Sequence, residues 1–314
     1  MEKLVSIIIP VYNRREEILV CLRSLSQINY KNVEIIIVDN GSDDQTQEAI
    51  KQEFSRIIII RNEENLMASP ARNQGFMKAK GDYILFLDSD NKVSPDFLTE
   101  MVNLAEIDEK IGLVGPKMFC GDRENVIWYA GADINMLSSK TTYIGINNYD
   151  RGQFDQIREV QHIPNCSLIK REVLDKIGLW NESYVMSYEE PDLSLRAKRV
   201  GYKIVFCPSA KIWHMGQISN TQSKIGFRSP KRAYYFARNR VVFMRQHANF
   251  LSFIIFFTTF FPVLVLLHFL IFARQRKWAI LEGYMSGCFD GFIYGLTGHL
   301  RDSTNNLVQQ EVRN

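Results

Sequence analysis

Two aspartates one residue apart, Asp88 and Asp90, follow the apolar run YILFL at residues 83–87. Carboxylates at i and i+2, where a buried strand ends and the chain leaves regular geometry, can face one cation. Their hard oxygens suit Mg²⁺ or Mn²⁺, which bridge readily to phosphate oxygens. An Asp-rich turn can also serve local hydrogen bonding alone; the buried strand before it and the other polar strand ends favour the metal. Asp39 closes a second apolar run, VEIIIVD. A carboxylate there either accepts hydrogen bonds from a base or ribose or caps the turn that follows. Farther along, Glu189, Glu190 and Asp192 surround Pro191. Pro191 suits the first turn of a helix, and Asp192 and Arg196, at i and i+4, are expected to pair across it. His214, beside Trp213, reads either as a packed ring or as an Mn²⁺ ligand.

These groups need a frame. The first hundred residues alternate strand and helix signals. Val5–Pro10, Val33–Asp39, Ile57–Ile60 and Tyr83–Leu87 are apolar and β-branched, the pattern of strands buried on both faces. Between them the spacing predicts helices over Glu16–Ser26, from Ser42 as N-cap to near Phe54, over Pro70–Lys80 with Gly81 as the stop, and from Pro95 to about Glu106. Such alternation predicts an α/β fold with a mostly parallel, Rossmann-like sheet flanked by helices. Ligands in such sheets bind beyond the carboxyl ends of the strands. The polar groups Tyr12-Asn13-Arg14, Asp39 to Asp43 and Asp88 to Asp90 mark three of those ends, so their chemistry should meet in one crevice. No Gly-x-Gly-x-x-Gly follows the first strand and no Walker A sequence occurs, which argues against a dinucleotide oxidoreductase and a P-loop ATPase.

The 314 residues are 46% apolar and 23% charged, the balance of a folded protein, and a net charge of +3 gives no sign of a nucleic-acid partner. Five scattered cysteines, with no Cys-x-x-Cys, fit reduced thiols in a cytosolic compartment. The N-terminal apolar run is too short for a signal peptide. From Phe250 to Ala273 no Asp, Glu, Lys or Arg occurs, 24 residues that are long enough to cross a hydrocarbon core. Pro262 is expected to kink that helix. Arginines flank the span on both sides, which leaves a single span and a returning hairpin both open. The stretch Trp278–Gly298, interrupted by Glu282 and Asp290, is expected at the membrane interface.

Four segments together, IIIPVYNR, IIIVDNGSDDQT, ARNQGFMKAKGDYILFLDSD and SYEEPDLSLRAKRVGY, resemble the motifs of family 2 inverting glycosyltransferases in order and spacing, over about residues 4–245. Within that family the chain looks most like rhamnosyltransferase-like enzymes of surface-polysaccharide assembly. The apolar stretch adds C-terminal membrane-associated helices, a segment over 246–314. The resemblance implies a GT-A fold with a nucleotide-sugar-binding half over 1–115 and an acceptor half over 116–245. It implies that Pro10, Tyr12 and Arg14 hold the nucleoside, that Asp39 contacts base or ribose, and that Arg72 and Asn73 line the nucleotide pocket. Asp88 and Asp90 would hold Mn²⁺ or Mg²⁺, with Asp88 also reaching the donor, and His214 would complete the metal site. Glu190 stands where the family has the aspartate that acts as base. The extra methylene leaves Glu189 as the other candidate.

The implied reaction moves a sugar from a nucleotide-sugar, a UDP- or dTDP-sugar favoured, to a hydroxyl of a saccharide or lipid-linked acceptor, at the cytoplasmic face of the cell membrane. A carboxylate takes the acceptor proton while the metal stabilises the leaving diphosphate. Two other classes compete. A sugar nucleotidyltransferase also uses a sheet and a carboxylate pair, but it would show a Gly-rich basic loop where this chain has PVYNRRE. A catalytically inactive membrane scaffold with the same fold would have no need of Asp88, Asp90 and Glu190.

Overall fold

The computed structural model describes residues 2–121, 123, 125–216, 227 and 229–301. Residues 302–314 of the expected C-terminal segment lie outside them. The described chain folds as two compact units. The first comprises residues 2–133, 142–182 and 193–216, and the second the remainder.

The first unit is built on a sheet in which the strands over 158–159, 203–214, 111–120, 166–170, 83–87, 5–11, 33–39 and 58–61 lie side by side in that order. Strands β1 (Val5–Val11), β2 (Val33–Asp39), β3 (Ile58–Arg61) and β4 (Tyr83–Leu87) run parallel. Ile7, Ile8 and Ile9 are completely buried; burying each such side chain contributes about 1.5–3 kcal/mol. Helices α1 (Arg15–Leu25), α2 (Thr46–Glu53), α3 (Ala68–Lys78) and α4 (Phe97–Ile107) connect or follow these strands. Parallel pairing sets Val11 beside Asp39 and Ile8 beside Phe86, so β1, β2 and β4 end at one edge of the sheet.

Two helix boundaries differ from expectation for identifiable reasons. Ser42 does not cap α2, because its hydroxyl accepts the Asn13 N–H at 3.0 Å. Asp44 takes over instead, accepting the Thr46 N–H at 3.1 Å, and α2 starts at Thr46. Helix α3 ends at Lys78 rather than at Gly81. Gly81 is set against β1: a Cβ there would lie 2.6 Å from the Ser6 nitrogen.

The other half of the sheet was the least legible in sequence. It consists of β5 (Asn91–Val93), the ten-residue β6 (Ile111–Cys120), β7 (Ile127–Tyr129), β10 (Arg158–Glu159), β11 (Cys166–Lys170) and the twelve-residue β12 (Lys203–His214). Strand β11 lies antiparallel between β4 and β6, and β12 runs parallel to β6 with an irregularity between Cys207 and Lys211. A separate hairpin pairs β8 (Ala132–Asn135) with β9 (Lys140–Tyr143). Helices α5 (Arg171–Ile177) and α6 (Glu189–Arg199) complete this part of the chain. All five cysteines are buried free thiols.

The second unit is dominated by α7 (Pro230–His247), α8 (Phe250–Arg274) and α9 (Trp278–Thr297). Ser229 caps α7 by accepting the Arg232 N–H at 3.2 Å, and Pro230 follows at the first helical position. Helix α9 lies along α7 in the same direction, with Gly283 against Pro230 and Gly287 against Tyr234. A Cβ at Gly287 would sit 2.1 Å from the Tyr234 carbonyl oxygen, so only glycine permits this approach. Helix α8 returns antiparallel to α9: Phe257 stacks on Phe292 at 5.4 Å, and Phe272 meets Tyr284 at 5.7 Å. Before Pro262, α8 widens into a π turn over Phe256–Phe260. The wider turn accommodates a proline that has no N–H and would crowd the carbonyl four residues back. Asp290, one of the two charges that interrupt α9, is buried and accepts the Tyr234 hydroxyl at 2.5 Å.

Candidate active site

The loops beyond β1, β2 and β3 are tied into one wall. Asp39 is wholly buried at the end of β2. One of its oxygens accepts the Ser42 N–H at 3.0 Å and the other the Arg61 guanidinium at 2.7 Å. Arg61 also donates to the Ser42 carbonyl at 2.9 Å. Asp39 therefore performs the turn-capping role in this structure. Asn40 donates to the Met67 carbonyl at 3.1 Å, which links the β2 loop to the start of α3. Pro10 is partly buried at the end of β1, and Tyr12 beside it is exposed.

Arg72 projects from α3 to the end of β4. Its Nη2 donates to Asp88 Oδ1 at 2.8 Å, and its guanidinium lies over the Trp180 ring at 4.5 Å. Trp180 in turn meets Phe86 edge-to-face at 5.1 Å. Burial of Arg72 beside an aromatic face strengthens its hold on the carboxylate, since little water competes. Asn73, one residue on, has a different task. It donates to the Trp180 carbonyl and accepts the Trp180 N–H, both at 3.0 Å, and reaches Glu182 at 2.8 Å. The Arg-Asn pair thus grips one tryptophan from two sides. Trp180 and Arg61 were not found by reading the sequence. Arg61 carries a signal, a cation at the end of an apolar strand adjacent to β2, whereas Trp180 lies far along the chain with none.

Asp90 and His214 are brought together by β5 pairing with β12, which sets Asn91 opposite His214. His214 Nε2 lies 3.6 Å from Asp90 Oδ1, and Arg14 Nη1 lies 3.4 Å from Asp90 Oδ2. The imidazole stacks on Trp128 with the planes 2° apart and the centroids at 5.2 Å. Among the described residues its Nδ1 is buried without a hydrogen-bond partner. Gly216 lies close against both groups: a Cβ there would lie 2.5 Å from Asp90 Oδ2 and 2.8 Å from His214 Cε1, an approach that a side chain would disturb. Burial pushes the Asp90 carboxyl above the ordinary aspartate range against the pull of His214; Asp88 adds to the rise and Arg14 opposes it. Among the described residues no three His, Cys, Asp or Glu groups converge closely enough to hold an ion as they stand. Asp90 and His214 form two parts of the expected set, while Asp88 is engaged by Arg72.

The residues 183–192 fold with the second unit. Val185, Ser187 and Tyr188 have φ of 59°, 68° and 73°, in the left-handed region that a β-branched valine rarely enters. Helix α7 holds this turn. Asn239 Nδ2 donates to the carbonyls of Tyr184, Met186 and Ser187 at 2.6, 2.8 and 3.0 Å, and Arg238 donates to Ser183. The Tyr188 hydroxyl donates to the Ser139 carbonyl at 3.1 Å. Glu189 and Glu190 then open α6. Asp192 is buried against His247 at 2.7 Å, whereas Arg196 donates to the carbonyls of Ile177, Gly178 and Leu179. Each member of the expected helix pair thus also has a partner elsewhere.

The profile of glycosyl transferase family 2 matches residues 6–178, more than half of the chain. The chain belongs to this family. Among relatives, the amylovoran biosynthesis glycosyltransferase AmsB of Erwinia amylovora is 30% identical over 64% of this chain and 65% of its own length. The first curated relatives match over 24% to 65% of their own lengths, so the chain spans only part of each. Among solved structures, residues 1–349 of S. aureus TarS in complex with UDP-GlcNAc align with a TM-score of 0.61 at 17% identity, over 93% of this chain and 81% of that one. The mannosyltransferase PcManGT of Pyrobaculum calidifontis, solved with GDP-Man and Mn²⁺, aligns with a TM-score of 0.58 at 13% identity, over 95% and 88%. These likenesses establish the shared GT-A fold. The family match ends before Glu189, Glu190 and His214, so it does not cover the carboxylates that open α6 or the histidine that faces Asp90.

Proposed function

We propose that this family 2 glycosyltransferase moves a sugar, with inversion, from a nucleotide-sugar to a hydroxyl of a saccharide or lipid-linked acceptor in surface polysaccharide or glycolipid assembly. The observation that carries this reading is the pairing of Asp90 with His214, packed against Gly216 at the end of β12. A buried carboxylate facing an imidazole with a partnerless nitrogen fits a Mn²⁺ or Mg²⁺ ion, with Asp88 as the further oxygen donor. Such an ion, when bound, would supply Lewis-acid stabilisation of the diphosphate that leaves. Structural relatives solved with UDP-GlcNAc and with GDP-Man and Mn²⁺ support the substrate class and the ion.

The chain's own residues divide the remaining work. Arg72, buried and stacked on Trp180, orients Asp88 and supplies positive charge at the phosphate end of the crevice. Tyr12, exposed at the end of β1, offers a face for the base, and Pro10 and Arg14 flank it. Asp39, already bonded to Ser42 and Arg61, fixes the wall against which base and ribose would lie. Glu190 is the base that takes the acceptor proton. It lies in the first helical turn, where N–H dipoles favour the ionised carboxylate. UDP- or dTDP-sugars are the favoured donors. The apolar helix Phe250–Arg274, with 11% of its most apolar stretch buried, attaches the enzyme to the cytoplasmic face of the membrane beside a lipid-linked acceptor.

The test is calorimetric titration of a nucleotide-sugar panel with and without Mn²⁺. One donor should bind in the presence of metal and lose at least tenfold in affinity in EDTA. Asp90→Asn should reproduce that loss while leaving the melting temperature within a few degrees of the parent. Binding that is unchanged by chelator and by Asp90→Asn would overturn the metal assignment, and failure of every donor to bind would overturn the reading itself.

A further inference from the structure

We propose that the second unit lies flat on the membrane, with α8 and α9 sunk by one face into a single leaflet and neither helix crossing. This rests on the reading of the second unit as the membrane attachment and deepens it by fixing the topology. The argument begins with the partners of α8. A spanning helix leaves its domain behind, but α8 folds back on the second unit at both ends. Phe257 packs on Phe292 and lies against Gly295, and His268 stacks on Tyr284 at 4.8 Å. Phe227, just before α7, meets Phe272 at 5.9 Å. Helix α9 is locked along α7 through Gly283 and Gly287, and Arg245 near the end of α7 donates to the Gly295 carbonyl. The three helices therefore occupy the same depth.

If α8 stood upright, α7 would stand in the hydrocarbon with it. Helix α7 carries the exposed Arg232 and Arg245 and the half-buried Lys231. It also holds the irregular turn 183–188, whose carbonyls are bonded by Asn239. Arginines and non-helical backbone at bilayer depth are costly unless they line a protein or water-filled interior. Lying flat removes the conflict. The exposed surface of α8 includes Val263, Leu266, Leu267 and Leu270, and that of α9 includes Phe289 and Phe292. An apolar surface of this extent marks an interaction site.

The chemistry at the turn between the two helices selects lipid as the occupant. Arg274 and Arg276 are exposed there, followed by Lys277 and by Trp278, which is 62% exposed. Cations suit anionic headgroups, and an exposed tryptophan suits the boundary between headgroup and acyl chain. In a flat arrangement this turn stays on the catalytic side. In a two-pass hairpin or a single span it would emerge on the opposite side.

The five native cysteines are buried, so one introduced at an exposed position is the group a membrane-impermeant maleimide reports. In full-length protein, Gln275→Cys should label only from the cytosolic face, in parallel with the reference Gln52→Cys on exposed α2, when intact spheroplasts are compared with inverted vesicles. The double change Leu266→Glu with Leu270→Glu should lower binding to phosphatidylglycerol vesicles about tenfold or more, while nucleotide-sugar binding by the first unit persists. Labelling of membrane-bound Gln275→Cys only from the outer face would overturn the flat topology and leave membrane attachment standing. A protein that ignores vesicles and runs as a dimer that the double change separates would overturn both, assigning the face to a second copy. Membrane-bound, flat-labelled protein that transfers no sugar would count against the proposed reaction alone.

Discussion

Asn239→Asp is the most informative single change in the second unit. It keeps the size and shape of the side chain and removes both N–H groups. In the parent, Nδ2 lies within 3.0 Å of three carbonyl oxygens, those of Tyr184, Met186 and Ser187. Withdrawing two hydrogens from buried carbonyls costs about 1–3 kcal/mol for each bond lost, so about 2–6 kcal/mol in all. Part of this, about 1–3 kcal/mol, is recovered as Val185, a β-branched residue held in left-handed geometry, relaxes once the turn is released. We expect a net loss of about 2–4 kcal/mol. At roughly 2 °C per kcal/mol for a chain of this size, the melting temperature should fall by about 4–8 °C. The new carboxylate would face carbonyl oxygens, so its folded pKa is raised above the unfolded value. Its protonated form, which can donate one hydrogen, dominates at low pH, and the penalty sets in as pH rises through the folded pKa. The deficit relative to the parent should therefore be smaller at pH 5 than at pH 8. The readouts are urea denaturation at the two pH values and steady-state turnover. Because the turn leads directly into Glu189 and Glu190, turnover should fall about tenfold or more while donor affinity changes less than twofold. Parental stability and turnover in both Asn239→Asp and Asn239→Ala would refute the view that Asn239 holds the turn.

Glu190→Gln keeps the side-chain size but cannot take a proton. It should lower turnover by about 10²-fold or more with donor binding unchanged in calorimetry. A larger effect from Glu189→Gln would make Glu189 the base. Burial pushes the His162 imidazole down to about 3, against about 6.5 when unfolded. The unfolded state then binds the extra proton as pH falls below 6.5, so stability drops by about 1.4 kcal/mol per pH unit towards the folded value. His162→Phe should flatten that acid limb in urea melts at pH 7 and 5, and parallel losses in both proteins would assign the limb to other groups. Gly287→Ala places a methyl against the Tyr234 carbonyl and should cost about 1–3 kcal/mol by calorimetry, whereas Ser286→Ala one residue away should be near neutral. Equal melting temperatures for the two would show that α7 and α9 tolerate separation.

Much of the parallel half of the sheet was legible in the residues. Strands β1 and β4 are short, apolar and buried on both faces, which leaves such segments little choice of structure, whereas β3, expected to be equally buried, is an edge strand with Ile58 exposed. With parallel strands, the polar residues that follow them must gather at one edge, so the neighbourhood of Tyr12, Asp39 and Asp88 was implied by periodicity alone. The later strands were harder to see. Strand β6 contains Gly112, Gly115 and Pro116, and β12 contains Pro208 and a bulge. Their extended form is enforced by pairing with each other and with β11, not by local preference.

What the sequence determined by itself was the order of the central strands and helices, the polar strand ends, the family resemblance and the apolar stretch from Phe250. Tertiary structure decided which partners those residues keep. Asp88 is held by Arg72, Asp39 by Arg61, Asn73 by the backbone of Trp180, and Asp192 by His247. Each of these contacts joins residues 16 or more positions apart, and hydrogen-bond partners at such separations are set by packing, which no local pattern encodes. The same reason governs the apolar helix α8. Its composition makes it long enough to span a membrane, whereas its return along α9, and the glycines that lock α9 to α7, fix what lies beside it.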